Sequence, residues 1–239
     1  PVDIVMFCVK LYDVESAAAR LAPLLGSETT VISFQNGIDA EDRIEAVIGA
    51  GRVAGGVAYL SASLGAPGEV LHHNRLAKLA FGGRDGRVTA PLQALKAACD
   101  RAGIDAVLSP EIEKTIWEKF LFLASFAAVT GATRHAIGPV LADPVTRQLF
   151  VDAMSEIAAV AKARGIGLSE DAVARQLDVA SKLAPDMKAS LLHDLERGNR
   201  IEIEGLSGAV LRLGRALGVP TPVHAALYAA LKLHAPGRG

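Results

Sequence analysis

The chain opens on a short apolar run, Ile4-Val5-Met6-Phe7-Cys8-Val9, that ends at Lys10. An apolar stretch of that length without polar alternation predicts a strand buried on both faces of a parallel sheet. Helical spacing follows over residues 12–25, with Gly26 as its stop. The β-branched stretch Thr29-Thr30-Val31-Ile32-Ser33-Phe34 predicts a second strand, cut off by Gln35-Asn36-Gly37. A helix over 40–48 leads to a third strand, Val53-Ala54-Gly55-Gly56-Val57-Ala58-Tyr59. Residues 69–73 and 78–81 read as a hairpin or edge strands, 87–102 as an amphipathic helix, and Ile104-Asp105-Ala106-Val107-Leu108 closes the series. Strands alternating with helices predict an α/β domain with a largely parallel sheet.

The pattern changes at Ser109-Pro110-Glu111, where a good N-cap, a first-turn proline and an acid that complements the helix dipole stand together. From there only helical periodicity is found, over 111–131, 144–164, 170–183, 186–197, 201–217 and 222–233. Asp143-Pro144 and Thr221-Pro222 start helices; Gly165, Gly198 and Gly218 end them. The reading is an α/β domain over 1–108 followed by an all-α domain over 109–239.

Composition narrows the function classes. The chain has 239 residues, enough for one large domain or two ordinary ones, and 51% are hydrophobic, enough for a substantial core. Lys and Arg number 25 against 26 Asp and Glu, so no basic field points to nucleic acid and no acidic tail to disorder. No apolar run is long enough to span a bilayer, and the opening Pro1-Val2-Asp3 lacks the basic start of a signal peptide. Cys8 and Cys99 lack metal-ligand spacing and read as reduced core thiols of a cytoplasmic protein. His72, His73 and His135 have no metal-like companions, so no metal is expected. Gly49-Ala50-Gly51-Arg52-Val53-Ala54 fits a loose dinucleotide string but precedes a strand instead of opening a helix, and fails on context.

Four places carry candidate chemistry. Gln35-Asn36-Gly37 and Val9-Lys10 each follow an apolar strand, and ligands of open parallel sheets bind beyond the carboxyl ends of strands. An ordinary Asn-Gly turn and a solvated strand terminus are the plain alternatives. Lys119 stands where the helix over 111–131 turns from one apolar face (Ile112, Ile116, Phe120) to apolar nearly all round. A lysine there either snorkels to water or, held in a cleft, loses solvation and gains a pKa suited to proton donation. Ser190, Asp194 and Glu202 form the fourth group; Glu202 lies three residues after Asn199, the spacing of a helix-capping box.

Taken in order, Val9-Lys10, Gln35-Asn36-Gly37, Trp117-Glu118-Lys119, Ser190 with Asp194, and Glu202-Ile203-Glu204 resemble the motifs of the ketopantoate reductase (2-dehydropantoate 2-reductase) family across essentially the whole chain. The resemblance implies a Rossmann-like α/β domain, N-terminally truncated here, followed by an all-α domain. It implies NADPH as cofactor, a small 2-oxo acid as substrate, no nucleic-acid or membrane partner, and a homodimer through the helical domain. By the same resemblance Lys119 is the general acid and Glu202 orients the substrate. Ser190 holds the substrate's other end, with Asp194 behind it, and Lys10, Gln35, Asn36 and Gly37 line the cofactor.

Two departures qualify it. The family places Asn one and two turns beyond the lysine, where this chain has Leu123 and Ala127; Ser125 and Arg134 are the nearby polar residues. That points to a different small 2-oxo or hydroxy acid as the alternative substrate. The family also begins with a strand, a Gly-rich turn and a helix, none of which precedes Val9-Lys10. Roughly 60 residues, about a βαβ unit with flanks, are then missing, and a truncated chain or gene fragment is expected. A degenerate, non-catalytic binding protein is the third reading.

Overall fold

A computed structural model of the chain describes residues 1–238, the side chains of 74–76 excepted. It divides into two compact units, Pro1–Gln35 with Ala40–Ile116, and Asn36–Asp39 with Trp117–Gly239.

The first unit is built on a five-stranded sheet in the order β1-β2-β3-β4-β5: β1 (Ile4–Phe7), β2 (Thr30–Ser33), β3 (Val53–Leu64), β4 (Val70–Gly83) and β5 (Asp105–Leu108). β1, β2 and β3 run parallel, β4 returns antiparallel to β3, and β5 is parallel to β4. Every residue of β2 is buried, as suits its β-branched Thr30-Val31-Ile32, with the Ser33 hydroxyl satisfied by Gln35. Ile32, Ala54, Phe81, Leu92, Cys99 and Ala106 form one core cluster between the sheet and α3 (Ala90–Arg101). Gly55 lets the start of α4 (Ile112–Thr133) lie against β3, because a Cβ there would come within 2.8 Å of Ile116 Cδ1.

Three expectations change in this unit. Residues 12–25 hold a 3-10 turn, Leu11–Asp13, a five-residue α1 (Val14–Ala18) and a second 3-10 turn, Ala22–Leu24, not one helix. Pro23 has no N–H to continue the ladder, and its ring would meet the carbonyl four residues back. Residues 70–73 and 78–81 are both parts of β4, which forms a long hairpin with β3 around a turn at Gly65–Glu69 closed by backbone and Glu69 side-chain bonds. Cys99 is buried as expected, whereas Cys8 is exposed just beyond β1. α2 (Ala40–Ile48) occupies the expected span.

The second unit is helical: the remainder of α4, then α5 (Ile137–Ala142), α6 (Pro144–Ala163), α7 (Ala172–Ser181), α8 (Ser190–Arg197), α9 (Ser207–Leu217) and α10 (Pro222–Lys232). Phe120, Leu121, Phe150, Met154, Ile157, Leu192, Ile203 and Val210 are all but inaccessible to solvent and form its aliphatic and aromatic core. Asp143 caps α6 by accepting from the Val145 and Thr146 amides at 3.0 and 2.9 Å. Thr221 does not cap α10; the Glu156 carboxylate of α6 accepts from the Val223 and His224 amides instead, at 2.7 and 2.9 Å. Gly165, Gly198 and Gly218 adopt positive φ, the left-handed stop that their spacing predicts. Among the described residues no helix is long and apolar enough to cross a membrane.

Candidate active site

Lys119 is the last charged residue of α4 before a stretch, 120–133, that carries none. Its side chain is half-buried, and Nζ donates to Asn36 Oδ1 at 2.8 Å. Removal from water disfavours the ammonium and brings the pKa down to about 8. The loop that carries Asn36 leaves β2 but packs with the helical unit, since Asn36–Asp39 cluster with the later helices.

Gln35, next to Asn36, faces a different task. It is buried, accepts from the Ser33 hydroxyl on Oε1 at 2.5 Å, and donates through Nε2 to the Phe7 and Val9 carbonyls at 3.0 and 3.3 Å. Its amide thereby ties the carboxyl end of β2 to that of β1, where Lys10 follows in extended backbone with an exposed side chain. Gly37 is buried within the loop. A nicotinamide nucleotide fits this edge in part. Lys10 is a cation on the surface, and Gln35 fixes the backbone of both strand ends where open parallel sheets receive such ligands. A cavity of about 440 Å³ in the same unit, lined by Thr30, Arg52, Arg84 and Glu113, lies at the amino ends of β2 and β3 instead.

In the helical unit, Ser190 is the exposed first residue of α8. Asp194, one turn on, is half-buried and accepts from Asn199 twice: backbone amide to carbonyl at 2.8 Å, and Nδ2 to Oδ1 at 3.1 Å. No helix starts at Asn199, so the capping box expected there does not form. Glu202 sits half-buried in a tight turn in which its carbonyl accepts from the Gly205 and Leu206 amides, and α9 begins only at Ser207.

The structure therefore joins Lys119 to Asn36, places Ser190 and Asp194 on one face of α8, and puts Glu202 in the turn before α9. Leu123 is half-buried and Ala127 buried on α4 beyond Lys119. Ser125 lies about 120° round the helix from Lys119 by α-helical geometry. It is fully buried, and its hydroxyl has no hydrogen-bond partner among the described residues. Arg134 is exposed past the end of α4, in a left-handed conformation. Two residues with no local sequence signal also hold the Asn36 loop: Asp39 Oδ2 accepts from Arg212 Nη2 at 2.8 Å.

Comparison with known proteins gives a consistent result. The family described as "Ketopantoate reductase PanE/ApbA C terminal" matches residues 111–235, and "Ketopantoate reductase PanE/ApbA" matches residues 1–86. A 2-dehydropantoate 2-reductase of Mesorhizobium japonicum is 30% identical over 99% of this chain and 78% of its own length. An oxidoreductase of Bacillus subtilis, YkpB, is 27% identical over 97% of this chain and 77% of its own. The crystal structure of a PanE/ApbA family ketopantoate reductase from Ralstonia eutropha JMP134 superposes with a TM-score of 0.88 at 31% identity, covering 98% of this chain and 76% of that one.

Proposed function

The chain belongs to the PanE/ApbA ketopantoate reductase family of oxidoreductases, and we propose that it catalyses NADPH-dependent reduction of 2-dehydropantoate to pantoate with Lys119 as the general acid. The observation that carries this reading is the Lys119 ammonium: half-buried, held by Asn36 at 2.8 Å, and lowered to a pKa of about 8. At neutral pH such a group is still protonated yet close enough to its pKa to give the proton up.

A bound nicotinamide supplies the hydride for C2 of the oxo acid. Lys119 delivers the proton to the ketone oxygen, and until then its charge stabilises the developing alkoxide. The Asn36 side-chain carbonyl accepts one of the ammonium's three protons and aims the others. Glu202 orients the substrate through a hydroxyl, and Ser190 holds its other end. Asp194, bonded to Asn199, fixes the end of α8 behind it. On the cofactor side, Lys10 and the Asn36-Gly37 backbone form the contacts, with Gln35 locking the two strand ends. In this scheme residues 1–108 contribute cofactor binding and 109–239 substrate binding and catalysis, and the working assembly is a homodimer through the helical domain.

A second reading, reduction of another small 2-oxo acid or oxidation of a hydroxy acid, is favoured by Leu123 and Ala127. Neither side chain supplies the hydrogen bonds of an amide. Steady-state NADPH consumption by the full-length protein with 2-dehydropantoate and a panel of small 2-oxo acids separates the two. The highest kcat/KM on 2-dehydropantoate supports the first reading, and a clear preference for another acid replaces it with the second. An absence of turnover together with no NADPH-induced rise in Tm would overturn both.

A further inference from the structure

The loop over 36–39 is fastened to the helical unit by two side chains three residues apart. Asn36 accepts from Lys119 at 2.8 Å, and Asp39 from Arg212 of α9 at 2.8 Å. Between them Gly37 and Ile38 are buried. Arg212 makes a second bond with its other terminal nitrogen: Nη1 donates to the Glu204 carbonyl at 3.1 Å. Glu204 belongs to the turn that begins at Glu202, so one guanidinium spans the Asn36 loop and the Glu202 turn. Around it the space is kept open. A Cβ on Gly208, one helical turn before Arg212, would stand 3.3 Å from Arg212 Nη1, 3.3 Å from Glu204 Oε2 and 3.2 Å from Tyr228 Cε2. Tyr228 in turn donates to the Glu204 carboxylate at 2.8 Å, which keeps that acid turned toward α10.

We propose that Arg212 is a positioning residue for the reduction, holding the Asn36 loop and the Glu202 turn in one fixed relation so that the Lys119 ammonium and Glu202 address the same substrate. The inference rests on the roles given above to Lys119 and Glu202. The planar fork of arginine suits the task, because it presents two donors at a fixed angle to two acceptors on different segments. A lysine at 212 would reach one acceptor and leave the other segment free. Small displacements of a reacting group are costly for rate, so the effect belongs in kcat more than in KM.

The test is steady-state kinetics on the full-length protein carrying Arg212→Ala, Arg212→Lys, Asn36→Ala, Asn36→Ala with Arg212→Ala, and Lys119→Ala. Arg212→Ala should lower kcat by about 10- to 100-fold with KM changed by less than about threefold. Arg212→Lys should fall between it and the parent. In the Asn36→Ala background the same Arg212→Ala change should cost no more than about threefold, because its route to Lys119 is already cut. Parental kcat in Arg212→Ala, or losses that multiply independently in the double variant, would overturn the proposal while an inactive Lys119→Ala leaves the catalytic reading intact. A fully active Lys119→Ala would instead remove the reading on which it rests.

Discussion

Lys119 and His224 are both bases of the helical unit withdrawn from water, and burial lowers the pKa of each, to about 8 for the lysine and about 4 for the histidine. Their surroundings differ. His224 is fully buried between two partners, Ser207 Oγ on Nδ1 and the Ala153 carbonyl on Nε2, both at 3.1 Å. The neutral ring that donates from Nε2 and accepts on Nδ1 satisfies both, and it joins α10 to α6 and α9. Lys119 is only half-buried, and its ammonium donates to Asn36, a side chain of the loop after β2. A lowered pKa points to catalysis only where solvent and substrate can reach the group, which is the condition proposed for Lys119.

The contrast is broken most severely at Lys119. Replacing it with alanine should reduce kcat/KM by about 10²- to 10⁴-fold, the range of a general acid, while NADPH binding measured by fluorescence titration changes little. A loss confined to KM would make Lys119 a binding residue.

His224 should act on stability alone. Its folded-state pKa of about 4 lies below the ordinary 6.5, so the unfolded chain takes up the proton first as the pH falls. The stabilisation is fully present above pH 6.5 and is lost between there and pH 4, on the order of 3 kcal/mol. Denaturant titrations across that window measure it. His224→Gln, which is neutral at all these pH values, should flatten the dependence with kcat nearly unchanged.

The smallest effect belongs to the support beneath His224. Glu156→Gln removes the charge that accepts the Val223 and His224 amides and should lower stability by about 1 kcal/mol, measured at neutral pH. Turnover should be unaffected, and a matching fall in kcat would mean that the two regions are coupled.

Much of this architecture is local and was legible in the sequence. The α2 span, the Asp143 cap, the three glycine stops and the position of Lys119 before an uncharged helix follow from spacing and residue type. The departures are tertiary. The α5 segment, with Gly138-Pro139 near its start, has too short a period to stand out, yet Pro185 packs against Gly138 and the Gly138 amide bonds the Pro185 carbonyl at 2.9 Å. The Asn199–Glu202 spacing suits a cap, but Asn199 turns back to Asp194 and α9 begins only at Ser207. At the site, nothing in the local pattern distinguishes Gln35, bound to strand ends, from Asn36, bound to Lys119. Their partners lie 26 or 28 and 83 positions away. Family resemblance singled out Asn36 and Lys119 separately, and only the fold joined them and supplied Arg212.

The most direct test is the pH dependence of kcat/KM for oxo-acid reduction by the full-length protein, followed from about pH 6 to about pH 10. As the proposed acid, Lys119 would have to enter the reaction protonated, so the rate should be level at neutral pH, bend near pH 8, and then fall about tenfold per pH unit. A profile that stays level through the alkaline range, or one with the same alkaline limb retained in Lys119→Ala, would contradict the assignment of Lys119 as the acid.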